Sequence, residues 1–321
     1  MKLKTILLTG VSGVIGRLVA TNLIENFKII AIGSEYSRIP ESIRHHKNFK
    51  FYERNFLTIN TTSELGILEP VDLVLHLAGV VSGSKISEID YFKINSESTK
   101  LLLGLAKEKK SHAFGLASSV SVYGHHESNL SLESERLGSS VYARSKIAAE
   151  NHCLGSSVPF SLFRIASVYG HGTKSFVSKL HSLFQKGIYP SFGKERKKSI
   201  LHVEDLVSFL CAWCEAALEE KVVQPVYVLS HPEAVTISMV VEELRRQGKA
   251  KYKGIPIPIF GFLIPVFNFF YRRLRSLQGA PYHESPLYPL LSSVEIFDER
   301  SWKDLRLSPK WDLRKGISQY K

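Results

Sequence analysis

The feature that most constrains this 321-residue chain is a glycine-rich loop near its N-terminus. The loop, TGVSGVIG at residues 9–16, lies between an apolar run at 5–8 that is typical of a buried strand and an amphipathic stretch at 17–25 that is typical of a helix. Glycines at this spacing permit a tight turn, close approach of the backbone to a pyrophosphate, and close helix–strand packing. The helix N-terminus would then direct free N–H groups at the phosphates. The loop therefore predicts a dinucleotide site at the first strand–helix connection.

Short apolar runs alternate with longer helical patterns from residue 4 to about residue 210. The runs predict strands at residues 5–8, 28–32, 49–52, 73–77, 113–118 and 160–164. This alternation predicts an α/β fold with a doubly wound parallel Rossmann sheet, which binds ligands at the carboxyl ends of its strands. The pattern then becomes irregular. We therefore predict a Rossmann domain at 1–168, joined by a returning helix near 203–219, and a smaller C-terminal substrate-binding lobe that makes up most of 169–321.

Tyr142 and Lys146 stand four residues apart in a helical stretch at 141–150, so both side chains are expected on one helix face. The pKa of a tyrosine is near 10 and must fall by about three units, roughly 4 kcal/mol, if the side chain is to exchange protons near neutral pH. An ammonium about 5 Å away contributes roughly 3 kcal/mol of this at an effective dielectric constant of about 20. The pair is a candidate acid and base, although an exposed Tyr and Lys on a helix would show the same spacing.

A run of hydroxyl residues ends the fifth predicted strand. The sequence ASSVSVYG at 117–124 places serines at the carboxyl edge of the sheet, where one could donate to a substrate oxygen that is also bonded to Tyr142. A solvated turn is the alternative interpretation of the same run.

Composition restricts the partners and the compartment. The formal charge is +12, but no nucleic-acid-binding motif accompanies the basic clusters at 194–198 and 272–275. An anionic small molecule or a membrane surface is therefore expected rather than nucleic acid. Three cysteines cannot build a disulfide framework, which predicts a reducing, cytoplasmic location. Cys211 and Cys214 form a C-x-x-C that we interpret as core residues of a helix, with redox chemistry as the alternative. No metal site is predicted.

A series of motifs resembles those of the extended short-chain dehydrogenase/reductases, specifically the NAD-dependent epimerase/dehydratase family that acts on nucleotide sugars. The motifs are TGxxGxxG at 9–16, HLAG at 76–79, Asn95 in the following helix, SSxxVYG at 118–124, YxxxK at 142–146, RxxxVYG at 164–170 and HVED at 202–205. Residues 297–316 are similar to the family's closing helix and tail. The resemblance covers nearly the whole chain and implies an NAD(P)-dependent enzyme.

The resemblance also implies roles for individual residues. Tyr142 would be the acid and base, Lys146 would hold the nicotinamide ribose and lower the Tyr142 pKa, and Ser119 would be the catalytic hydroxyl. The residues expected to bind the cofactor are Gly10, Gly13, Val14, Ile15, Gly16, Ser34, Arg38, Asn55, Phe56, Leu77, Ala78, Gly79, Asn95, Tyr142 and Lys146. Those expected to bind the substrate are Ser119, Ser167 and Lys198.

The end of the second predicted strand departs from the family pattern. NAD users of the family place an acidic residue there to bind the ribose hydroxyls, whereas this chain has Gly33 followed by Ser34. An Asp would repel a ribose phosphate, but Gly33, Ser34 and Arg38 would not, so NADP is modestly favoured over NAD as the cofactor. Glu35 limits this preference, because a small shift in the turn would bring its carboxylate to the ribose. Asn55 replaces an Asp of the family and can still accept a bond from the adenine amine.

Two positions in the predicted substrate lobe also differ from the family. Ser167 stands where the family has Asn, and Lys198 stands where an arginine commonly holds the substrate diphosphate. Lysine is a point charge without the planar fork of arginine. Both diphosphate binding and a solvated loop at 194–198 therefore stay open.

These observations favour hydride transfer between NADP(H) or NAD(H) and a nucleotide-linked sugar, by a 4-ketoreductase or a 4-epimerase. A dehydratase is disfavoured because Val120 and Ser121 replace the acidic pair that the family's dehydratases carry. The apolar segment at 255–271 motivates two alternatives, a reductase of apolar, steroid- or flavonoid-like ketones with a hydrophobic flap, and a peripheral membrane contact through 255–275. A cofactor-binding protein without turnover is a further alternative. A homodimer is expected.

Overall fold

A seven-stranded parallel sheet forms the centre of the protein, whose computed structural model describes residues 3–84, 86–124, 130–192, 197–220, 224–249, 254–259, 269–271, 273 and 294–320. The described strands are β1 (Thr5–Thr9), β2 (Lys28–Gly33), β3 (Phe49–Glu53), β4 (Leu73–His76), β5 (Ala113–Ser119), β6 (Phe160–Ile165), β7 (Ser167–Tyr169), β8 (Ile188–Phe192), β9 (Ile200–His202), β10 (Val226–Leu229) and β11 (Ile255–Ile259). The sheet has the order β10-β6-β5-β4-β1-β2-β3. Two short parallel pairs, β7 with β9 and β8 with β11, lie outside it.

Apolar runs buried on both faces explain why these segments form parallel strands. All five residues of β1 and all four of β4 are buried. The six strands expected from the sequence are all present, with ends displaced by no more than one residue. The predicted fold class, a doubly wound parallel Rossmann sheet, is therefore confirmed. The apolar runs in the sequence do not predict β10, a four-residue strand that joins the sheet beside β6.

Helices cover both faces of the sheet. The described helices are α1 (Val14–Leu23), α2 (Glu41–Arg44), α3 (Glu88–Phe92), α4 (Ser98–Lys109), α5 (Val141–Leu154), α6 (Phe176–Gln185), α7 (Val203–Leu218), α8 (Ile237–Arg246), α9 (Glu299–Lys303) and α10 (Leu313–Ile317). A π-helical turn, Lys93–Glu97, connects α3 to α4 without a break. Short 3₁₀ turns occur at Tyr36–Arg38, Ser63–Leu65 and Val120–Tyr123.

The two faces of the sheet carry separate apolar cores. On one face α1, α7 and α9 pack together around large side chains such as Trp213 and Trp302. On the other face α4 and α5 pack through residues such as Leu102 and Ala149. The helix expected near 203–219 is α7, which contacts α1 on the Rossmann sheet. The predicted boundary at residue 168 stays a prediction.

The two cysteines of the C-x-x-C motif lie on α7. Cys214 is fully buried and Cys211 is partly buried, and neither is in a disulfide. Burial raises the pKa of the Cys211 thiol to about 12 and that of the Cys214 thiol well above its usual value. A buried thiol of raised pKa is unreactive. This environment supports the core interpretation of the pair.

A third core belongs to the region after β6. It gathers α6, α8 and α10 with β7 and β9, through buried residues such as Phe176, Val240 and Ile317. The β8–β11 ribbon at its side exposes Ile255 and Ile257. Most of the apolar segment at 255–275 lies outside the described residues, so the flap and the membrane contact stay predictions. Among the described helices, none is long and apolar enough to cross a bilayer.

The HVED motif anchors the C-terminal tail. The Asp205 carboxylate accepts the backbone N–H groups of Lys310 and Trp311 at 2.9 and 3.0 Å. The His202 ring stacks on the Trp311 ring with 4.3 Å between centroids. The Tyr169 hydroxyl donates to the Asp312 carbonyl at 2.7 Å. Together these contacts fix the tail against α7 and the third core.

Candidate active site

The glycine loop is shaped partly by the protein's own packing. Gly10 has φ +78°, and a Cβ there would lie 2.8 Å from the Ala78 nitrogen. A Cβ on Gly16 would collide with the Gly10 carbonyl. Gly13 differs, because its Cβ would meet only that carbonyl, at 3.2 Å. The first and third glycines are therefore required by the fold, and the second borders space that a ligand can enter.

The N-terminus of α1 is open. Its N-cap is Gly13, which has no side chain to accept the first N–H groups, and the first turn holds no acidic residue. In contrast, α5, α6, α7 and α8 are capped by the side chains of Ser140, Ser175, His202 and Thr236. The N–H groups and the positive end of the helix dipole thus remain for an anion. This arrangement fits the pyrophosphate of a dinucleotide.

A buried chain of hydrogen bonds links β1, β4 and α4. Thr9 Oγ1 accepts the Ala78 N–H at 3.0 Å and lies 2.7 Å from His76 Nδ1, while His76 Nε2 lies 3.1 Å from Ser98 Oγ. Burial, with a smaller effect of Lys146, lowers the His76 pKa to about 3, so the ring is neutral. With the proton on Nε2, each group has a donor or acceptor to match. The chain fixes the backbone of the HLAG loop.

Asn95 lies in the π-helical turn and holds the same loop from the other side. Its Oδ1 accepts the Val80 N–H at 2.9 Å, and its Nδ2 donates to the Val80 carbonyl at 3.1 Å and to Ser145 Oγ at 2.9 Å. A Cβ on Gly79 would lie 2.8 Å from Asn95 Oδ1 and 3.1 Å from Lys146 Nζ. Single π-turns are frequent at functional sites. This one brings Gly79, Asn95 and Lys146 together.

Lys146 is buried on α5 with only 5% of its surface exposed. Its Nζ donates to the Ala117 carbonyl of β5 at 2.8 Å. Burial lowers the Lys146 pKa to about 8, and the Glu150 carboxylate opposes this effect. The ammonium therefore persists at neutral pH and is lost above about pH 8. Tyr142 lies one helical turn earlier on the same face and is partly buried.

Ser119 is the last residue of β5 and is partly buried. Its Oγ accepts the Ser121 N–H at 3.2 Å and so begins the 3₁₀ turn. Ser121 Oγ is buried and has no hydrogen-bond partner among the described residues. A buried hydroxyl without a partner is rare. Ser121 is therefore a candidate ligand contact. From the sequence it is noted only as one of the residues that replace the acidic pair of the family's dehydratases.

A buried carboxylate network lies behind these side chains. Glu150 is fully buried and accepts from Ser118 Oγ at 2.5 Å, from Arg164 Nε and Nη2 at 3.1 and 2.9 Å, and from Arg136 Nη1 at 3.2 Å. Arg164 Nη1 also donates to the Tyr123 hydroxyl at 2.8 Å. The network ties α5 to β5, β6 and the 3₁₀ turn. The sequence motifs do not predict this network, although an acidic residue four positions after Lys146 is a signal that could have indicated it.

The predicted adenosine contacts lie at the ends of β2 and β3. Ser34 and Asn55 are exposed, and Asn55 Oδ1 accepts the Leu57 N–H at 3.0 Å within its own turn. Phe56 is buried against the His76 ring. Arg38 Nε forms an ion pair with Glu35 Oε2 at 2.5 Å. The cation that favours NADP in the sequence analysis is therefore already paired with a carboxylate.

The predicted substrate residues have contrasting surroundings. Ser167 is partly buried in β7. Lys198 is 7% exposed, with its Nζ 5.3 Å from the Phe176 ring centroid, and burial lowers its pKa to about 7. Lys197 is exposed and lies 3.5 Å from Glu295. A solvated loop describes Lys197 but not Lys198, whereas residues 193–196 lie outside the described part of the chain.

The structure thus brings Gly79, Asn95 and Lys146 close together, with Tyr142 on the same face of α5 as Lys146. Ser119 lies at the end of β5, whose Ala117 carbonyl holds the Lys146 ammonium. The residues at the ends of β2 and β3 form a separate group. Their roles in binding and catalysis stay predictions.

Comparison with known proteins identifies the class. A family model described as the NAD dependent epimerase/dehydratase family matches residues 6–228. This chain therefore belongs to that family, as the motifs indicate.

Two curated relatives match part of the chain. An uncharacterized UDP-glucose epimerase of Bacillus subtilis (strain 168) is 29% identical over an alignment of 182 residues that covers 51% of this chain and 57% of the relative. A dTDP-D-glucose 4,6-dehydratase of Dictyostelium discoideum is 28% identical over 239 residues, 64% of this chain and 54% of the relative. The match spans a little over half the length of each of these two relatives.

Solved structures match the fold over nearly the whole chain. The UDP-glucuronic acid 4-epimerase of Bacillus cereus in complex with NAD has a TM-score of 0.75 and 18% identity, over 98% of this chain and 94% of its own. The UDP-glucose 4-epimerase of Thermotoga maritima has a TM-score of 0.75 and 19% identity, over 98% and 97%. These likenesses show a shared fold.

Proposed function

We propose that this protein is an NAD-dependent 4-epimerase of a nucleotide-linked sugar. The similar structures include a UDP-glucuronic acid 4-epimerase in complex with NAD and a UDP-glucose 4-epimerase with UDP-glucose, and a curated relative is described as an uncharacterized UDP-glucose epimerase. Arg38 is the cation that would favour NADP and a reductase, and it is already paired with Glu35. An epimerase retains its NAD and needs no external reducing equivalents.

The observation that carries the proposal is the position of Lys146. Its ammonium is buried between the end of β5 and Gly79, one helical turn from Tyr142. A buried cation there stabilises a tyrosinate more strongly than an exposed one, because water does not screen it. The two residues therefore have what an acid–base pair requires, a proton carrier and a fixed positive charge.

The proposed reaction is an oxidation followed by a reduction at the same carbon. NAD, when bound, would take a hydride from the sugar carbon and return it. Tyr142 takes the hydroxyl proton as the carbon loses hydride, and Ser119 donates a hydrogen bond that orients the sugar oxygen. The resulting ketone turns its other face, and Tyr142 returns the proton to the oxygen when hydride comes back. The net change is inversion at one carbon with no gain or loss of electrons.

Replacing Tyr142 with Phe tests this mechanism. Removal of the hydroxyl should reduce epimerisation by roughly 10²- to 10⁴-fold, since general acid–base catalysis contributes about that much. NAD affinity, measured by calorimetry, should change little. The assay is interconversion of C4 epimers in a panel that includes UDP-glucose, UDP-glucuronic acid and dTDP-glucose.

Tyr227→Phe is the matched control, because its hydroxyl donates to Asp304 away from the site. It should retain near wild-type activity. A Tyr142→Phe variant that keeps most of its rate would contradict the catalytic assignment. The 4-ketoreductase alternative would show itself as stoichiometric oxidation of added NADPH or NADH by a 4-keto sugar, without epimerisation.

The substrate contacts remain part of the proposal. Lys198 would bind the diphosphate in its charged form, and Ser167 and Ser121 offer hydroxyls on neighbouring elements. The apolar-ketone alternative depends on residues 255–271, whose central part lies outside the described residues. It stays a prediction, as do the homodimer, the cytoplasmic location and the cofactor-binding protein without turnover.

A further inference from the structure

The positive charge of this protein is concentrated in one stretch of sequence. Residues 245–275 contain no aspartate or glutamate, and they contain eight cationic residues, whereas the whole chain has a formal net charge of +12. An apolar run without any charge, residues 254–271, separates two groups of these cations. The eight are Arg245, Arg246, Lys249, Lys251, Lys253, Arg272, Arg273 and Arg275.

The β8–β11 ribbon within this stretch presents apolar side chains to solvent. Ile255 and Ile257 of β11 are 67% and 45% exposed, and Ile188 of β8, which lies opposite Ile255, is also exposed. Residues two apart on a strand lie on the same face. The three isoleucines therefore form one apolar surface. Single exposed apolar residues are ordinary, whereas a contiguous group indicates contact with a protein or a membrane.

The free edge of β11 is unsuited to pairing with another strand. The Ile255 N–H donates to the Gly187 carbonyl at 2.7 Å, so the odd-numbered residues of β11 face β8. Pro256 and Pro258 face the free edge, and proline has no N–H to donate. A strand from a peptide or from a second copy of this chain would find no donors there. Contact through this surface therefore depends on side chains.

The ribbon is fixed beside the cationic end of α8. The Tyr189 hydroxyl accepts from Arg245 Nη2 at 3.2 Å, and the guanidinium lies 5.1 Å from the centre of the Tyr189 ring. Gln185 Nε2 donates to the Lys249 carbonyl at 2.6 Å. Lys249 Nζ donates to the Ser318 carbonyl at 3.1 Å and is paired with no carboxylate of the described residues. Isoleucines and cations are thus neighbours on this lobe.

The described residues near the end of the stretch show the same combination. Phe269 and Phe270 are 65% and 64% exposed, with their ring centroids 5.6 Å apart. Arg273 is exposed as well. Arg246 contributes less free charge, because it is paired with Glu243 at 2.6 Å. Large apolar side chains next to cations are typical of protein surfaces that enter the boundary between lipid headgroups and acyl chains.

The charge distribution favours one kind of partner. A second copy of this chain would bring the same cations against these, and like charges repel at close range. A nucleic acid would pair with the cations but would leave the isoleucines without an apolar environment. An anionic bilayer meets both requirements, because its headgroups attract lysine and arginine while its acyl chains accept the apolar side chains.

We propose that the β8–β11 ribbon and the cationic end of α8, together with Phe269 and Phe270, bind the surface of an anionic membrane. The isoleucines of the ribbon enter the headgroup region, and the cations pair with lipid phosphates. The contact is peripheral and weakens with salt, since much of it is electrostatic. It goes beyond the proposed function, because neither a sugar nucleotide nor NAD takes part in it.

Co-sedimentation of the full chain with lipid vesicles tests the proposal. One set of vesicles is phosphatidylcholine with roughly 30% phosphatidylglycerol, and the other is phosphatidylcholine alone. At low salt the protein should bind the anionic vesicles about tenfold or more tightly than the neutral ones. Salt of about 0.5 M should release it, because the Debye length then falls to a few Å.

The double variant Ile255→Ser, Ile257→Ser removes apolar surface without changing the charge. It should weaken binding to the anionic vesicles by about tenfold or more, because the apolar side chains no longer enter the bilayer. The matched control is Leu68→Ser, Ile89→Ser, two exposed apolar residues outside the ribbon, and it should bind as wild type does. Circular dichroism spectra like that of wild type establish that each variant is folded.

The double variant Lys249→Gln, Arg273→Gln removes two cations. It should weaken binding by about tenfold to thirtyfold, since each cation near an anionic surface contributes about fivefold. Lys47→Gln, Lys107→Gln is the matched control, two exposed lysines of the Rossmann part, and it should change binding by less than about threefold.

Several outcomes would overturn the proposal. These are no binding to anionic vesicles at low salt, equal binding to neutral vesicles, and unaltered binding by either the isoleucine or the cation variant. A dimer in light scattering that the isoleucine variant dissociates would assign the surface to a second copy of the chain. Binding to duplex DNA without binding to vesicles would assign the cations to nucleic acid. Either result would also overturn the membrane contact.

Discussion

Two Glu–Arg pairs flank the candidate site, and they differ chiefly in burial. Glu150 and Arg164 have side chains that are 0% and 7% exposed, behind the predicted catalytic residues. Glu35 and Arg38 have side chains that are 45% and 65% exposed, at the predicted adenosine end. The network around the buried pair joins α5 to β5, β6 and the 3₁₀ turn at Val120–Tyr123, whereas the exposed pair lies within one turn. The same two residue types therefore form a buried, structural ion pair in one place and an exposed ion pair in the other.

The number of hydrogen-bond partners explains why one carboxylate can be buried and the other stays exposed. Removing a carboxylate from water is costly unless its oxygens are fully paired. The two Glu150 oxygens accept four bonds, from Ser118, Arg136 and Arg164. Glu35 accepts one bond from Arg38 and water can reach the rest. A saturated carboxylate has no acceptor left for a ligand, and a partly paired one does.

The largest effect is expected for Arg164→Ala. It leaves Glu150 buried with part of its compensating charge removed, which should lower the free energy of unfolding by about 3 to 5 kcal/mol. Urea denaturation followed by circular dichroism measures this. The double variant Arg164→Met, Glu150→Gln should recover part of the loss, since it removes the unpaired charge. A loss below about 1 kcal/mol in Arg164→Ala would show that the buried pair is not structural.

An intermediate effect is expected for Arg136→Ala. Arg136 bonds the same carboxylate, but its side chain is 26% exposed. Loss of one charge-assisted bond should lower the free energy of unfolding by about 1.5 to 3 kcal/mol, less than in Arg164→Ala. The same denaturation experiment ranks the two. A larger loss of unfolding free energy in Arg136→Ala than in Arg164→Ala would mean that burial does not determine how much each arginine contributes to stability.

The smallest effect on stability is expected for Arg38→Ala. An exposed ion pair contributes about 0 to 1 kcal/mol, so the unfolding free energy should change by no more than that. Lys303→Ala is the matched control, because Lys303 forms a comparably exposed pair with Glu299 at 2.9 Å on α9. A loss above about 2 kcal/mol for Arg38→Ala would show that the exposed pair stabilises the fold as the buried pair does.

Much of the fold follows from local patterns. The six predicted strands are correct to within one residue at each end, because parallel strands buried on both faces consist of continuous apolar residues. The glycine loop and the Tyr142–Lys146 pair are visible because backbone conformation and helix periodicity depend on near neighbours in sequence. β10 is as short as β4, and it is missed because it lies after about residue 210, where the regular alternation of apolar runs and helical patterns has ended.

The tertiary structure decides which charges meet. Asp205 receives the N–H groups of Lys310 and Trp311 from more than 100 residues away, and Glu150 meets an arginine on a different strand. The sequence shows Arg38 as a cation that could hold a phosphate, and only the folded turn shows it paired with Glu35. Sequence patterns thus determine where strands, helices and turns form, because these depend on local periodicity. The ionisation and availability of a side chain depend on burial and on partners brought by other elements, which exist only after the chain has folded.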